Sequence, residues 1–187
     1  MNKNLTKNIA LSGMFLALGL LLPFVTGSNQ ALGNMILPMH IPVLLCGFIC
    51  GPKYGAMVGF CTPLLRSAIW GMPPFPLIAV PMAFELLTYG LMSGLLYSRS
   101  KWQCIIALYR CLIAAMLCGR LVLAPVKFLV TSAAGGQYTL KMFIDAAFIT
   151  AIPGIIIQLI LIPAIMLALD KTGLVKFRKA AKDPERA

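Results

Sequence analysis

Acidic residues are scarce in this chain: five Asp plus Glu among 187 residues, with a single histidine. Charged residues of both signs make up only 11% of the sequence, against about 25% in an ordinary soluble domain. So few charges cannot cover a water-facing surface, and a soluble globular fold is excluded on that ground. No Walker phosphate loop is present, so the chain is not itself an ATPase of that type. No His-Glu-x-x-His motif or dense cluster of metal ligands occurs either, and nothing in the sequence calls for a metal or a cofactor. With one histidine and five acids, a membrane enzyme acting on lipid lacks the clustered groups it would need.

What is abundant is apolar. Hydrophobic residues account for 60% of the chain, and the mean hydropathy is +0.90. At roughly 20 apolar residues per span plus short loops, the length accommodates about six membrane helices and leaves no room for a soluble catalytic domain. The sequence therefore predicts an all-α polytopic membrane protein, a single six-helix domain over residues 1–187 with a short basic tail at 170–187. The net charge of +11 comes from 16 Lys plus Arg. Most exposed basic residues lie in short segments between apolar runs, where they set topology and meet anionic lipid headgroups. Nucleic acid is not an expected partner, because the basic tail is too short for such a domain. The six cysteines sit in or beside apolar helices; Cys46 and Cys50 are four apart, and Cys104, Cys111 and Cys118 repeat every seven, spacings that read as helix faces rather than zinc sites.

Six runs are expected to be spans: residues 8–25, 40–51, 54–70, 77–97, from 102 or 104 to 130, and 142–169, the last interrupted by Pro153 and Pro163. The first follows Lys3 and Lys7 and resembles a signal peptide, but it ends at Pro23, Phe24 and Val25 without a small-residue cleavage site, so it reads as a retained span. Residues 26–38 are uncharged but polar and suit a lid or re-entrant loop. Gly51-Pro52-Lys53 punctuates the second and third runs, and Gly71-Met72-Pro73-Pro74-Phe75-Pro76 makes a stiff turn. Lys3, Lys7, Lys53, Arg99, Lys101 and the tail all fall on one side of a six-span layout. The positive-inside rule then places both termini in the cytoplasm.

Charged residues within lipid-spanning helices are costly and so become functional suspects. Glu85, Arg120 and Gln158 are expected at similar depth on three different spans, where they could form a polar pocket open to the outside. A purely structural Glu85–Arg120 ion pair and lipid-side snorkelling are competing readings. His40, at the entrance to the second span, and Asn34, in the first loop, are further candidates for ligand contact. Arg66 and Lys127 lie nearer the outer surface, where they could attract an anion. Trp70, Phe75 and Tyr138 fit interfacial anchoring more simply than ligand contact. Gly13 and Ala17, spaced by four, would let another membrane helix approach closely. The two halves show no inverted repeat of the kind many self-contained transporters use, which points to a binding subunit that borrows its energy from partners. A stand-alone facilitator is the alternative class.

The segment from Leu37 to Leu96 carries a recognisable pattern: Pro38-Met39-His40-Ile41-Pro42-Val43-Leu44-Leu45, Cys50-Gly51-Pro52-Lys53-Tyr54-Gly55, Thr62-Pro63-Leu64-Leu65-Arg66, Gly71-Met72-Pro73-Pro74 and Met82-Ala83-Phe84-Glu85-Leu86-Leu87-Thr88-Tyr89-Gly90. It resembles the substrate-specific S component of energy-coupling factor (ECF) vitamin transporters, most closely the pantothenate and corrinoid-precursor members. The resemblance implies six helices with cytoplasmic ends in a bacterial cell membrane. It implies an outward pocket for a small water-soluble vitamin or precursor, covered by the first long loop. It also implies a transmembrane coupling protein and two ATP-binding subunits as partners. In that family small residues on the first helix meet the coupling protein; Gly13 and Ala17 match, with Ile9 where an Ala is common. Pantothenate is the favoured substrate, because Arg66, Arg120 and Lys127 would suit its carboxylate. The corrinoid precursor α-ribazole is the alternative.

Overall fold

The computed structural model describes residues 3–26, 37–100, 104–136, 139–145 and 150–171. Within these residues the regular structure is entirely helical. Helix α1 is Lys3–Leu21 and continues as a 3-10 turn at Leu22–Thr26; α2 is His40–Cys50, α3 Pro52–Trp70, α4 Ala79–Arg99, α5 Ile105–Ala133, α6 Leu140–Ile144 and α7 Ile152–Lys171.

The punctuation read from the sequence terminates the helices as expected. Gly51 has φ +94 and ψ 176, a conformation closed to residues with a Cβ, and it turns α2 directly into α3. Its N–H bonds the Gly47 carbonyl at 3.1 Å, and Pro52 opens α3, where no N–H is required. Gly71 ends α3 in the left-handed region at φ +69, its N–H bonding the Ser67 carbonyl at 2.8 Å. Of the last expected run, the short α6 at Leu140–Ile144 and α7 from Ile152 are described; the expected break at Pro153 coincides with the start of α7, whereas Pro163 lies inside that helix. Pro153 lacks an N–H and suits the first turn of a helix rather than its interior, so α7 begins there.

Among the described residues, four helical stretches are long and apolar enough to cross a bilayer: Leu5–Phe24, Ala79–Arg99, Ile105–Ala133 and Ile152–Lys171. Two expected spans are not among them. Helix α2 has 11 residues, a length of about 17 Å at 1.5 Å per residue. Helix α3 has 19 residues, but Lys53, Tyr54, Thr62, Arg66 and Ser67 dilute its apolar character. Instead α2 is the buried centre of the molecule: of its residues only Ile49 escapes full burial. It packs against α1, α3, α4 and α7, while α4 also meets α3 and α5.

Backbone-to-backbone packing joins α2, α3 and α4. A Cβ on Gly55 would stand 2.5 Å from the Gly90 carbonyl oxygen and 2.7 Å from Gly47 Cα. One on Gly94 would stand 2.5 Å from the Pro52 nitrogen, and Gly59 lies against the Leu86 carbonyl. Gly55 and Gly90 thus face each other across α3 and α4, with Gly59 against Leu86 on one side and Gly94 against Gly51 and Pro52 on the other, the close-approach geometry of small residues in membrane helices.

Helix α5 shows how the remainder is solvated. Leu108, Cys111, Leu112, Ala115, Met116, Gly119 and Arg120 form its buried face. On the opposite side Ile106, Ile113, Leu117, Leu121, Phe128 and Leu129 are exposed. Such a stripe of bare aliphatic and aromatic side chains would be a large apolar patch in water. A bilayer solvates it without cost, and the chain is a multi-pass membrane protein.

Candidate functional site

Glu85 sits six residues into α4, roughly 9 Å along the helix, and is 3% exposed. A carboxylate so deeply withdrawn from water needs partners. Arg120 of α5 provides one, its Nη1 lying 2.9 Å from Glu85 Oε1, with side chains 8% and 3% exposed. Tyr89, one helical turn beyond Glu85, donates its hydroxyl to the same Oε1 at 2.9 Å. The Tyr89 ring fits because residue 119 is glycine; any Cβ there would collide with the ring. The pair Gly119-Arg120 therefore works as a unit, the first residue admitting the aromatic ring and the second reaching the carboxylate beside it.

His40 begins α2. Its Nε2 is 3.7 Å from Glu85 Oε1, beyond hydrogen-bonding length, and its ring lies 5.3 Å from that of Tyr89, tilted by 57°. The backbone enters this position through Leu37, which has φ 53, an uncommon value for a residue with a branched side chain. Neither ring nitrogen of His40 has a hydrogen-bond partner among the described residues. The same holds for both amide atoms of Gln158, on α7, which is 1% exposed. Most buried polar side chains in folded proteins are satisfied, so two unsatisfied ones on the facing helices α2 and α7 are unusual.

The structure thus brings together three of the residues singled out from the sequence, His40, Glu85 and Arg120, and buries Gln158 on a helix that packs against α2 and α5. Arg66 is placed differently. It is buried, but its Nη1 donates to the Leu20 carbonyl at 2.7 Å, and its guanidinium lies 5.0 Å from the Phe24 ring and 5.8 Å from that of Trp70. It ties the end of α1 to α3 immediately before the first loop. Asn34 and Tyr138 lie outside the described residues. Lys127 stands two turns beyond Arg120 on the same side of α5, half-buried. Tyr89 was not singled out from the sequence, although its i+4 spacing from Glu85 puts both on one helix face. Gly119 was also missed; its signal was adjacency to a charge in an apolar run.

Gly13 and Ala17 are exposed on α1. A Cβ on Gly13 would meet nothing within 4 Å. Gly13 also lines an apolar groove of about 300 Å³ between α1 and α3, with Ile9, Ser12, Leu16, Tyr54 and Met57 among its walls.

A helical membrane protein with a buried polar cluster is the class that this geometry defines. The family model of the substrate-specific component of ECF transporters matches residues 7–166, and the chain belongs to that family. Members bind small substrates and work with an ECF module of a T component and ATPases; the family is a transporter component, not an enzyme family. No curated protein and no solved structure matches the chain.

Proposed function

We propose that this chain binds a water-soluble vitamin or vitamin precursor from outside a bacterial cell and presents it to an ATP-driven coupling module, with pantothenate as the first candidate and α-ribazole as the second. The observation that carries this reading is the buried constellation of Glu85, Arg120, Tyr89 and His40, accompanied by the unsatisfied Gln158. Ionisable groups inside a membrane helix bundle are costly and accompany solute pathways, and a packing role alone does not call for unsatisfied amide and imidazole groups.

The proposed layout has six crossings with both ends cytoplasmic, α2 and α3 together supplying the crossings that α2 is too short to make by itself. The basic segments at Lys53 and Arg99 then lie on the cytoplasmic side and the polar cluster in the outer half. Residues 26–38, with Asn34, would cover the bound solute; Arg66 anchors the start of that segment through Leu20 and Phe24. A transmembrane coupling protein would meet α1 at Gly13 and Ala17, and two ATP-binding subunits would drive the release of solute inward. No covalent chemistry is involved.

The test is a thermal-shift and native mass-spectrometry screen of the purified chain against water-soluble vitamins and their precursors. One compound is expected to raise the melting temperature saturably and to appear as a stoichiometric adduct; no adduct with any of them refutes the reading. A Gly13→Leu variant should retain that adduct but fail to co-purify with the coupling module. Normal assembly of this variant would reject α1 as the docking face.

A further inference from the structure

We infer that the polar cluster recognises an uncharged group of amide type on its ligand, one with a hydrogen-bond donor and acceptor side by side, and leaves any carboxylate of that ligand outside. This inference rests on the cluster being the binding site proposed above. It changes what is read there, from the charge of Arg120 to the hydrogen-bonding capacity of Gln158 and His40.

Charge balance is the first argument. Arg120 is the cation nearest Glu85, and the two already form a 2.9 Å pair with both side chains buried. For Arg120 to take up a ligand's carboxylate it would have to release Glu85, removing the one cation within 4 Å of that buried carboxylate among the described residues and leaving it chiefly the Tyr89 hydroxyl. If Arg120 kept Glu85 and accepted a second anion, two like charges would share one guanidinium in a low-dielectric interior. A neutral group entering the cluster disturbs neither partner.

The hydrogen-bond inventory is the second argument. The Glu85 Oε1 position is engaged by Arg120 and by the Tyr89 hydroxyl. The unsatisfied groups among the described residues are the amide nitrogen and oxygen of Gln158 and the two nitrogens of His40. The Gln158 amide offers two N–H donors and one carbonyl acceptor in one plane; a neutral imidazole offers one donor and one acceptor. Both are mixed sets. A carboxylate only accepts, so it could use the donors but would leave the Gln158 carbonyl and one imidazole nitrogen unsatisfied in a buried site. An amide, a lactam, a ureido group or the amide edge of a heterocycle both donates and accepts. Placed between α2 and α7, it could pair with Gln158 through two parallel hydrogen bonds.

The experiment uses matched pairs on the purified full-length chain in which the amide or ureido group is kept and only the carboxylate is replaced by an alcohol, pantothenate with panthenol and biotin with biotinol, together with riboflavin and α-ribazole. Affinities are measured for the native chain, for Gln158→Leu and for Gln158→Glu, which keeps the shape but replaces the donating amide by a carboxylate. The expected result has two parts. Replacing the ligand's carboxylate by its neutral counterpart changes affinity by less than about threefold, whereas either substitution at Gln158 lowers it about tenfold or more. Ligand-free melting gives an independent readout: Gln158→Leu should melt no lower than the native chain, because it removes an unsatisfied buried amide. If a compound binds but needs its carboxylate, or binds Gln158→Leu undiminished, the inference falls while the transport reading stands. A lower ligand-free melting temperature for Gln158→Leu also overturns it, since the amide would then have a partner in the protein. Failure of every compound to bind the native chain removes the transport reading, and the inference with it.

Discussion

Breaking the Glu85–Arg120 pair from one side should be far more damaging than replacing it from both. The two side chains are 3% and 8% exposed and 2.9 Å apart. Arg120→Met removes the cation and leaves Glu85 with the Tyr89 hydroxyl at 2.9 Å and His40 at the longer 3.7 Å. An uncompensated buried charge of this kind costs about 3–5 kcal/mol. Glu85→Met strands Arg120 in the same way and also orphans the Tyr89 hydroxyl, a further loss of about 1–3 kcal/mol. In Glu85→Met/Arg120→Met both charges are gone and the volume is largely conserved. The charge term should vanish, leaving only the Tyr89 penalty, which adding Tyr89→Phe should relieve.

The assay is reversible unfolding of the four proteins in mixed micelles, combined as a double-mutant cycle. The expected coupling is about 6 kcal/mol or more, the two charge penalties together, with the double variant more stable than either single variant. A double variant that loses the sum of the two single losses would refute the reasoning, because two independent losses mean that the residues do not compensate each other. Single losses below about 1 kcal/mol would do so as well, since that is the scale of a solvent-screened pair.

Two further predictions concern packing and the end of α1. Gly55→Ala would drive a methyl group to within 2.5 Å of the Gly90 carbonyl oxygen, where only backbone could yield, and should cost at least about 1–3 kcal/mol. Gly13→Ala meets nothing within 4 Å and should be neutral or stabilising by about 0.5–1 kcal/mol; equal midpoints for the two variants in the same unfolding assay would reject the close packing of α3 on α4. Arg66→Met loses the 2.7 Å bond to the Leu20 carbonyl and the stacking on Phe24 and Trp70, a combined loss of about 2–4 kcal/mol. Arg66→Lys, which keeps the charge but not the flat guanidinium, should restore only part of that stability, and midpoints unchanged in both variants would show that Arg66 does not hold α1.

Much of the architecture was legible because its signals are one-dimensional. Apolar runs, Gly51 at one corner and Gly71 at another specify where helices stop without reference to the rest of the molecule. The part that failed depends on which neighbour a helix face meets. The spacing of Gly55 and Gly59 is visible on paper, but nothing there says that Gly90 lies opposite Gly55 and Leu86 opposite Gly59. Likewise the 11 residues of α2 read as a short tilted span, whereas their enclosure by α1, α3, α4 and α7 follows from contacts distant in sequence. Arg66 shows the same gap at the level of one side chain: its depth could be counted, but the direction in which it points could not. Glu85, Arg120 and His40 stood out because polar groups are rare in their surroundings. Tyr89 and Gly119 did not, since a tyrosine and a glycine in an apolar helix carry no comparable contrast.

The distribution of the polar cluster over the helices has a mechanical consequence. His40, Glu85 and Tyr89 belong to α2 and α4, two of the three helices whose backbones touch at glycines and which can shift relative to one another only by opening those contacts. Arg120 and Gln158 belong to α5 and α7. On α5, Arg120 is the last buried residue; from 121 to 133 the side chains are half-buried or exposed. The ion pair is therefore the buried tie nearest the C-terminal end of α5 to the glycine-packed block. α7 rests mainly on α2 and α5 rather than on the block as a whole. A solute that bridged His40 and Gln158 would add a hydrogen-bonded link to the packing of α2 on α7, at side chains that have no hydrogen-bond partner among the described residues.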